Sequence, residues 1–287
     1  MPKDRDDVTG TETTGHEWDG IRELDTPLPR WWSYIFYACI AFALIYWVLY
    51  PAWPWINGYS KGVLGWSRHA ELAAEMASAQ ADRDVFVDRI EAASVEQIAG
   101  DRELLQFTLA GGRSAFALNC SQCHGGGAQG GFGYPNLGDD AWIWGGTLAD
   151  IETTIRYGIR SDHEDTRLME MPAFGTDELL EPVQIDDAAE YVLSFTGRET
   201  DTAAADRGSV IFADECGYCH GESGEGMAEL GAPRVNDHIW IYDGDKAALV
   251  ETISTSRGGV MPFWEGRLDD ATIKQLAVYV HSLGGGE

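Results

Sequence analysis

One five-residue frame occurs twice in this chain: Cys120-Ser121-Gln122-Cys123-His124 and Cys216-Gly217-Tyr218-Cys219-His220. Two thiols one helical turn apart can add across the two vinyl groups of a haem. The imidazole directly after the second thiol then stands beneath the iron. The pair of frames therefore predicts two covalently bound haem c groups. Cys120, Cys123, Cys216 and Cys219 are expected to form the thioether bonds, with His124 and His220 as proximal iron ligands. A zinc or redox-dithiol framework fits less well. Zinc ribbons separate their knuckles by roughly 15–20 residues, whereas 92 residues lie between Cys123 and Cys216. A zinc knuckle also has no need of the adjoining histidine. The fifth cysteine, Cys39, reads as a space-filler in an apolar run.

Each iron needs a sixth ligand. Met171 and Met261 are each followed by proline and each lies 40–50 residues past its histidine. A thioether in that position stabilises reduced iron and raises the potential, and proline stiffens the loop that presents it. Other candidates are weaker. Met169 lacks the proline and the matching repeat position, and Met227 follows His220 by only seven residues. His163, His238 and His281 would make a bis-histidine site, but a lone histidine is more often not a ligand. The repeat favours pairing each methionine with the haem of its own lobe, while delivery across a lobe interface stays open. With both axial positions filled by protein, the chain should relay electrons rather than reduce O2. No Ser/His/Asp triad, phosphate loop or paired-carboxylate site emerges, so no catalytic residue is expected.

The elements that must hold these residues also repeat. Gly112, Phe116 and Cys120 recur as Gly208, Phe212 and Cys216; Trp142, Trp144 and Gly146 as Trp240, Tyr242 and Gly244; Tyr191, Ser194 and Gly197 as Tyr279, Ser282 and Gly285. Two lobes of one fold follow, 107–198 and 203–287. Gly112, Phe116 and Cys120 share one helical face, where glycine lets another helix approach closely. The expected partner is the last helix of the same lobe: Ile185, Ala188, Ala189, Val192 and Phe195 in lobe one, and Ile273, Leu276, Ala277, Val280 and Leu283 in lobe two. Asp186 and Asp269 are placed at the starts of these helices. Trp142, Trp144, Trp240 and Tyr242 are read as pocket linings or plain core, with N–H and O–H groups able to meet haem propionates.

Upstream, Trp31 to Ser60 carries no charged side chain, and Trp and Tyr crowd both ends of its densest part. That is a transmembrane helix with interfacial aromatic belts, ended by Pro51 and Pro54. It starts too late and runs too long for a cleaved signal peptide. The fold class expected is all-α: a polar tail over 1–30 (disordered over 1–20), an anchor over 31–56, a helical connector over 57–106 and the two lobes. Ser94 with Gln97 reads as a capping box and Asp101 as a second cap. Arg22 and Arg30 before the span balance Lys61 and Arg68 after it, so charge does not orient it. Haem c attachment does: N-terminus cytoplasmic, lobes periplasmic, in a bacterial inner membrane. The formal net charge of −27 argues against nucleic acid and suits a basic protein partner, or solubility alone.

The run Trp18 to Pro54, WDGIRELDTPLPRWWSYIFYACIAFALIYWVLYPAWP, resembles the membrane anchor of the CcoP/FixP subunit of cbb3-type cytochrome c oxidases. Glu215 to Asp237 resembles that family's second lobe, and the order of anchor, connector and two lobes matches as well. The resemblance implies an electron-transfer subunit that receives electrons from a donor cytochrome c. It implies delivery through a monohaem cytochrome c subunit to the haem–copper subunit that reduces O2. It also implies His124 and His220 as proximal and Met171 and Met261 as distal ligands. The alternative of another class is a freestanding membrane-tethered dihaem carrier serving a dehydrogenase or other oxidases. The aromatic anchor and the distinctive segment before it favour the subunit.

Overall fold

The computed structural model describes residues 4–286, which form two compact units, residues up to Ala81 and residues from Asp82 onward.

In the first unit, β1 (Thr13–Trp18) and β2 (Ile21–Leu24) make an antiparallel hairpin. Asp19 and Gly20 turn it with φ of 47° and 83°, the left-handed pair that an Asp-Gly dipeptide supplies in a tight hairpin. The expectation of disorder over 1–20 is thereby corrected for the described part; residues 1–3 lie outside the described residues. Helix α1 (Arg30–Leu49) is long and apolar enough to cross a membrane, and none of its residues is buried by the protein. Tyr50 leaves the helix in extended geometry because Pro51 follows it. A two-residue-strand hairpin, β3 (Pro54–Trp55) with β4 (Gly58–Tyr59), then lets the chain fold back. Val63 and Leu64 donate their N–H groups to the carbonyls of Val48 and Leu49 at 2.9 and 3.1 Å, satisfying two terminal helix acceptors. The segment after α1 is thus a folded cap, and the expected break between 56 and 57 falls inside its hairpin.

Helix α2 (Arg68–Ala92) leads to α3 (Val95–Gly100), which opens on the expected Ser94–Gln97 capping box. Asp101 then caps α4 (Arg102–Asn119) through the N–H groups of Glu103 and Leu104. The helix that leads into the first motif therefore begins at Arg102, five residues ahead of the expected lobe boundary at 107. Ile90, Val95 and Ile98 are buried in the core against which Cys120 packs, so the end of the connector shares that core.

The short turns α5 (Ser121–His124) and α9 (Gly217–His220) carry the two motifs. Helix α6 (Leu148–Tyr157) and α7 (Pro182–Phe195) complete lobe one in sequence. Lobe two contributes α8 (Thr202–Ile211), α10 (Lys246–Thr255) and α11 (Asp270–His281). The helices do not pair within lobes. α4 packs on α11 and α7 on α8, with α6 joining the first pair and α10 the second. The two cores show the same exchange. Phe116, Ile151 and Ile155 are buried with Ile273, Leu276 and Val280, and Ala189, Val192 and Leu193 with Phe212 and Leu249.

The expected within-lobe helix pairing is therefore overturned. The join between α7 and α8, residues 196–201, is too short to carry the chain far, and consecutive helices so linked pack as an antiparallel hairpin. Charge pairs reinforce the exchange. Arg207 of α8 clamps Asp187 of α7, Lys246 of α10 reaches Glu190 of α7 at 2.8 Å, and Arg156 of α6 meets Asp270 of α11. The start of α7 also differs from expectation. Glu181 caps it and Pro182 is its first residue, so Asp186 lies in the second turn, where it bonds Lys246 at 2.8 Å. Asp269 is the N-cap of α11 as expected.

Candidate haem centres

Each motif sits where a long helix ends. α4 runs to Asn119 and the chain turns at Cys120; α8 ends in a π-helical turn, Phe212–Cys216, that brings Cys216 to the matching position. Gly125 and Gly221, with φ of 81° and 79°, close the two short turns after the histidines. The imidazoles are oriented alike. His124 Nδ1 lies 3.1 Å from the Pro135 carbonyl and His220 Nδ1 2.8 Å from the Pro233 carbonyl. A carbonyl accepts, so Nδ1 holds the proton and Nε2 keeps its lone pair for a metal. Burial pushes both imidazoles below their ordinary pKa, favouring the neutral ring, against a smaller opposite pull from the carbonyl. Burial likewise pushes the thiols of Cys120 and Cys216 up to about 11.

The two centres share one cleft with a cavity volume of about 1070 Å³, lined by both motifs and by Met171 and Met261. The loops behind the histidines meet there. Gly133 N–H donates to the Ile241 carbonyl at 2.8 Å, and Phe132 sets its edge to Tyr242 at 5.7 Å between centroids. Trp144 of lobe one lies on Gly231 of the second motif's loop, where no side chain could fit.

The loops that carry the two methionines make their contacts with the opposite lobe, as the helices do. Met261 forms a reciprocal pair of 3.0 Å backbone bonds with Ile159 and packs on the core that contains Cys120, Trp142 and Trp264. The Met171 carbonyl accepts from Ser256 Oγ, and Phe174 N–H donates to the Ile253 carbonyl at 3.1 Å, beside the core that contains Cys216 and Trp240. Met169 and Met227 are exposed. His163 is engaged with Glu265 at 3.1 Å and lies against the tilted rings of Tyr157 and Phe263.

A haem fits these residues. The thiols are free, and the buried Trp240 indole N–H has no partner among the described residues, as a donor awaiting a propionate should be. The Trp142 indole N–H instead donates to the Gly285 carbonyl. The sequence reading missed α6 and α10, although Thr147 and Asp245 are readable N-caps. It also missed Arg167 and Arg257. Each lies four residues before a methionine, and their guanidinium groups stack on Trp144 and Tyr242 at 5.2 and 4.5 Å. The spacing shared by the two arginines was the available signal.

These features define a c-type cytochrome: two cytochrome c-type domains, tandem in sequence and sharing helices in space, behind one candidate transmembrane helix. The N-terminal domain model of cytochrome oxidase-cbb3, FixP, matches residues 10–57. The model for cytochrome c oxidase, cbb3-type, subunit III matches residues 108–192 and 203–280. The chain is 53% identical to the cbb3-type cytochrome c oxidase subunit CcoP of Azospirillum brasilense, over 99% of both chains. It is 50% identical to the FixP subunit of Bradyrhizobium diazoefficiens, over 98% of both, and 47% identical to the CcoP subunit of Cereibacter sphaeroides, over 96% of this chain and 95% of that one. The chain belongs to the subunit III family of cbb3-type cytochrome c oxidases, as a cytochrome c electron-transfer subunit that associates with other subunits of the oxidase.

Proposed function

We propose that the chain binds two haem c groups and passes electrons between them. The electrons come from a donor cytochrome c with a basic surface and go on to the monohaem cytochrome c subunit and the O2-reducing haem–copper subunit. The observation that carries this reading is the single cleft holding both motifs and both methionines. Each bound haem supplies a one-electron iron couple. Cys120 and Cys123 hold the first group and Cys216 and Cys219 the second. His124 and His220 offer Nε2 from one side, with Nδ1 pinned by a proline carbonyl. Met261 faces the first centre and Met171 the second, across the lobes. With both axial positions of each iron taken by side chains of this chain, its part in the oxidase is electron transfer. The lobes are periplasmic and the N-terminus cytoplasmic, since haem c is attached outside the inner membrane.

Purification of the tagged chain in mild detergent tests this reading. Two covalent haems per chain, with co-purifying oxidase subunits, are expected. One haem, or a chain recovered alone while oxidase activity persists elsewhere, refutes it; the latter result would mark a freestanding carrier. Protease added to inverted vesicles should leave the lobes intact.

A further inference from the structure

Lobe one carries a segment that lobe two lacks. Thirteen positions separate Gly158 from Met171, whereas five separate the equivalent Ser256 from Met261. Gly158 and Ser256 are the C-caps of α6 and α10, both with positive φ. The extra eight residues, Ile159 to Thr166, are absorbed neither by the haem motifs nor by the repeat.

Arg160 in this segment reaches both methionine loops. Its Nε donates to the Gly259 carbonyl at 2.8 Å, and its Nη1 to the Met169 carbonyl at 3.3 Å. The two acceptors are equivalent: each is the carbonyl two residues before a methionine. The guanidinium also lies flat on Gly258, where a Cβ would meet Cζ and Nε at 3.3 Å. The Arg160 side chain is 21% exposed, and its ion pairing among the described residues is a long 4.0 Å contact with Glu170. Its backbone sits at φ 50°, a conformation that costs a non-glycine residue energy and persists only where surroundings enforce it. They do so here: Arg160 N–H donates to the Arg167 carbonyl at 2.8 Å, and Ile159 is bonded to Met261 on its other side.

We propose that Arg160 is a positioning residue for both distal ligands at once. Its planar fork fixes the two methionine loops to each other as well as to their own centres. A fork with separate donors can serve two carbonyls in one plane, and an ammonium group cannot reproduce that geometry. The two centres are then not independent in ligation, because loosening one loop releases a restraint on the other. This inference rests on the reading of Met171 and Met261 as ligands.

Arg160→Gln and Arg160→Lys in the full chain, within the purified oxidase, test it. Two readouts separate the inference from the reading beneath it. Amide exchange over 169–171 and 259–261 reports the loops whatever the ligands are. The Met–iron charge-transfer absorption and the two reduction potentials report the iron. Arg160→Gln is expected to speed exchange about tenfold in both loops, as loss of a charge-assisted hydrogen bond implies. It should also weaken the absorption and lower the potential at both haems; Arg160→Lys should restore neither site fully. Glu170→Gln should leave both unchanged. Faster exchange or a lowered potential at one site only, or at neither, overturns the inference. A wild-type chain without Met–iron absorption refutes the ligand reading instead, and exchange rising in both loops would then still uphold the clasp.

Discussion

Gly112 of α4 lies so close to the Gln275 carbonyl and the Tyr279 Cβ of α11 that no Cβ could be accommodated, and Gly208 of α8 meets the Asp187 carbonyl and Tyr191 of α7 in the same way. One contact joins the start of lobe one to the end of lobe two; the other joins the end of lobe one to the start of lobe two. Each half of the core is therefore assembled from both repeats.

Gly112→Ala should destabilise the chain by about 1–3 kcal/mol, the usual cost of forcing a methyl into a close-packed contact. The exchanged helices make the location of the damage specific. Hydrogen exchange should accelerate in α4 and α11 while α7 and α8 stay protected, and Gly208→Ala should do the reverse. Faster exchange in α7 on Gly112→Ala would restore the within-lobe pairing.

The proposed crossing of the methionines predicts a crossed spectroscopic result. Met261→Ala should remove the thioether ligand from the haem at Cys120 and Cys123, and Met171→Ala from the haem at Cys216 and Cys219. Paramagnetic NMR on the ferric protein resolves the two through the haem methyl shifts. Each loss should lower the potential of the haem concerned, because the thioether favours reduced iron.

Asp270 pairs with two cations, Arg156 of α6 and Lys274 one turn further along α11, the latter at 2.9 Å. Burial alone would raise its pKa, but the hydrogen bonds and charges of Lys274 and Arg156 prevail and hold it below the ordinary 3.8. A carboxylate depressed in the folded state stabilises above its unfolded pKa and loses that contribution as pH falls through the folded value. Asp270→Asn should therefore lower the unfolding midpoint at neutral pH by the equivalent of about 1 kcal/mol, since the pair is partly exposed. The gap from wild type should close in acid titrations below pH 3.8.

The two pocket tryptophans should respond differently to loss of the indole N–H. Trp240 has a buried donor with no partner among the described residues, whereas Trp142 spends its donor on the Gly285 carbonyl. Trp240→Phe should lower the potential of the haem at His220, because a propionate loses a compensating hydrogen bond. Trp142→Phe should loosen the C-terminal residues, seen as faster exchange after α11, with little change in potential. Equal potential shifts in both variants would count against the propionate role of Trp240.

Much of this protein was determined locally. The paired Cys-x-x-Cys-His frames, the apolar run of α1, the Ser94–Gln97 box and the Asp101 cap each act within a few residues, through covalent chemistry, hydropathy and backbone hydrogen bonds. The glycines at 112 and 208 also announced close helix contacts, but not with which helix. The Asp19–Gly20 hairpin was equally local, and was obscured by the polar composition around it. Only the tertiary structure decided how the repeats combine. Two nearly equivalent lobes offer each first helix two nearly equivalent partners, and periodicity is the same for both. The six-residue join after α7, the pairs Arg207–Asp187 and Arg156–Asp270, and the extra segment around Arg160 break that tie. The charge pairs and the Arg160–Gly259 contact join residues 20 to 114 positions apart, so no local pattern could reveal them, and the pairing proposed for the methionines, Met261 with His124 and Met171 with His220, follows from them.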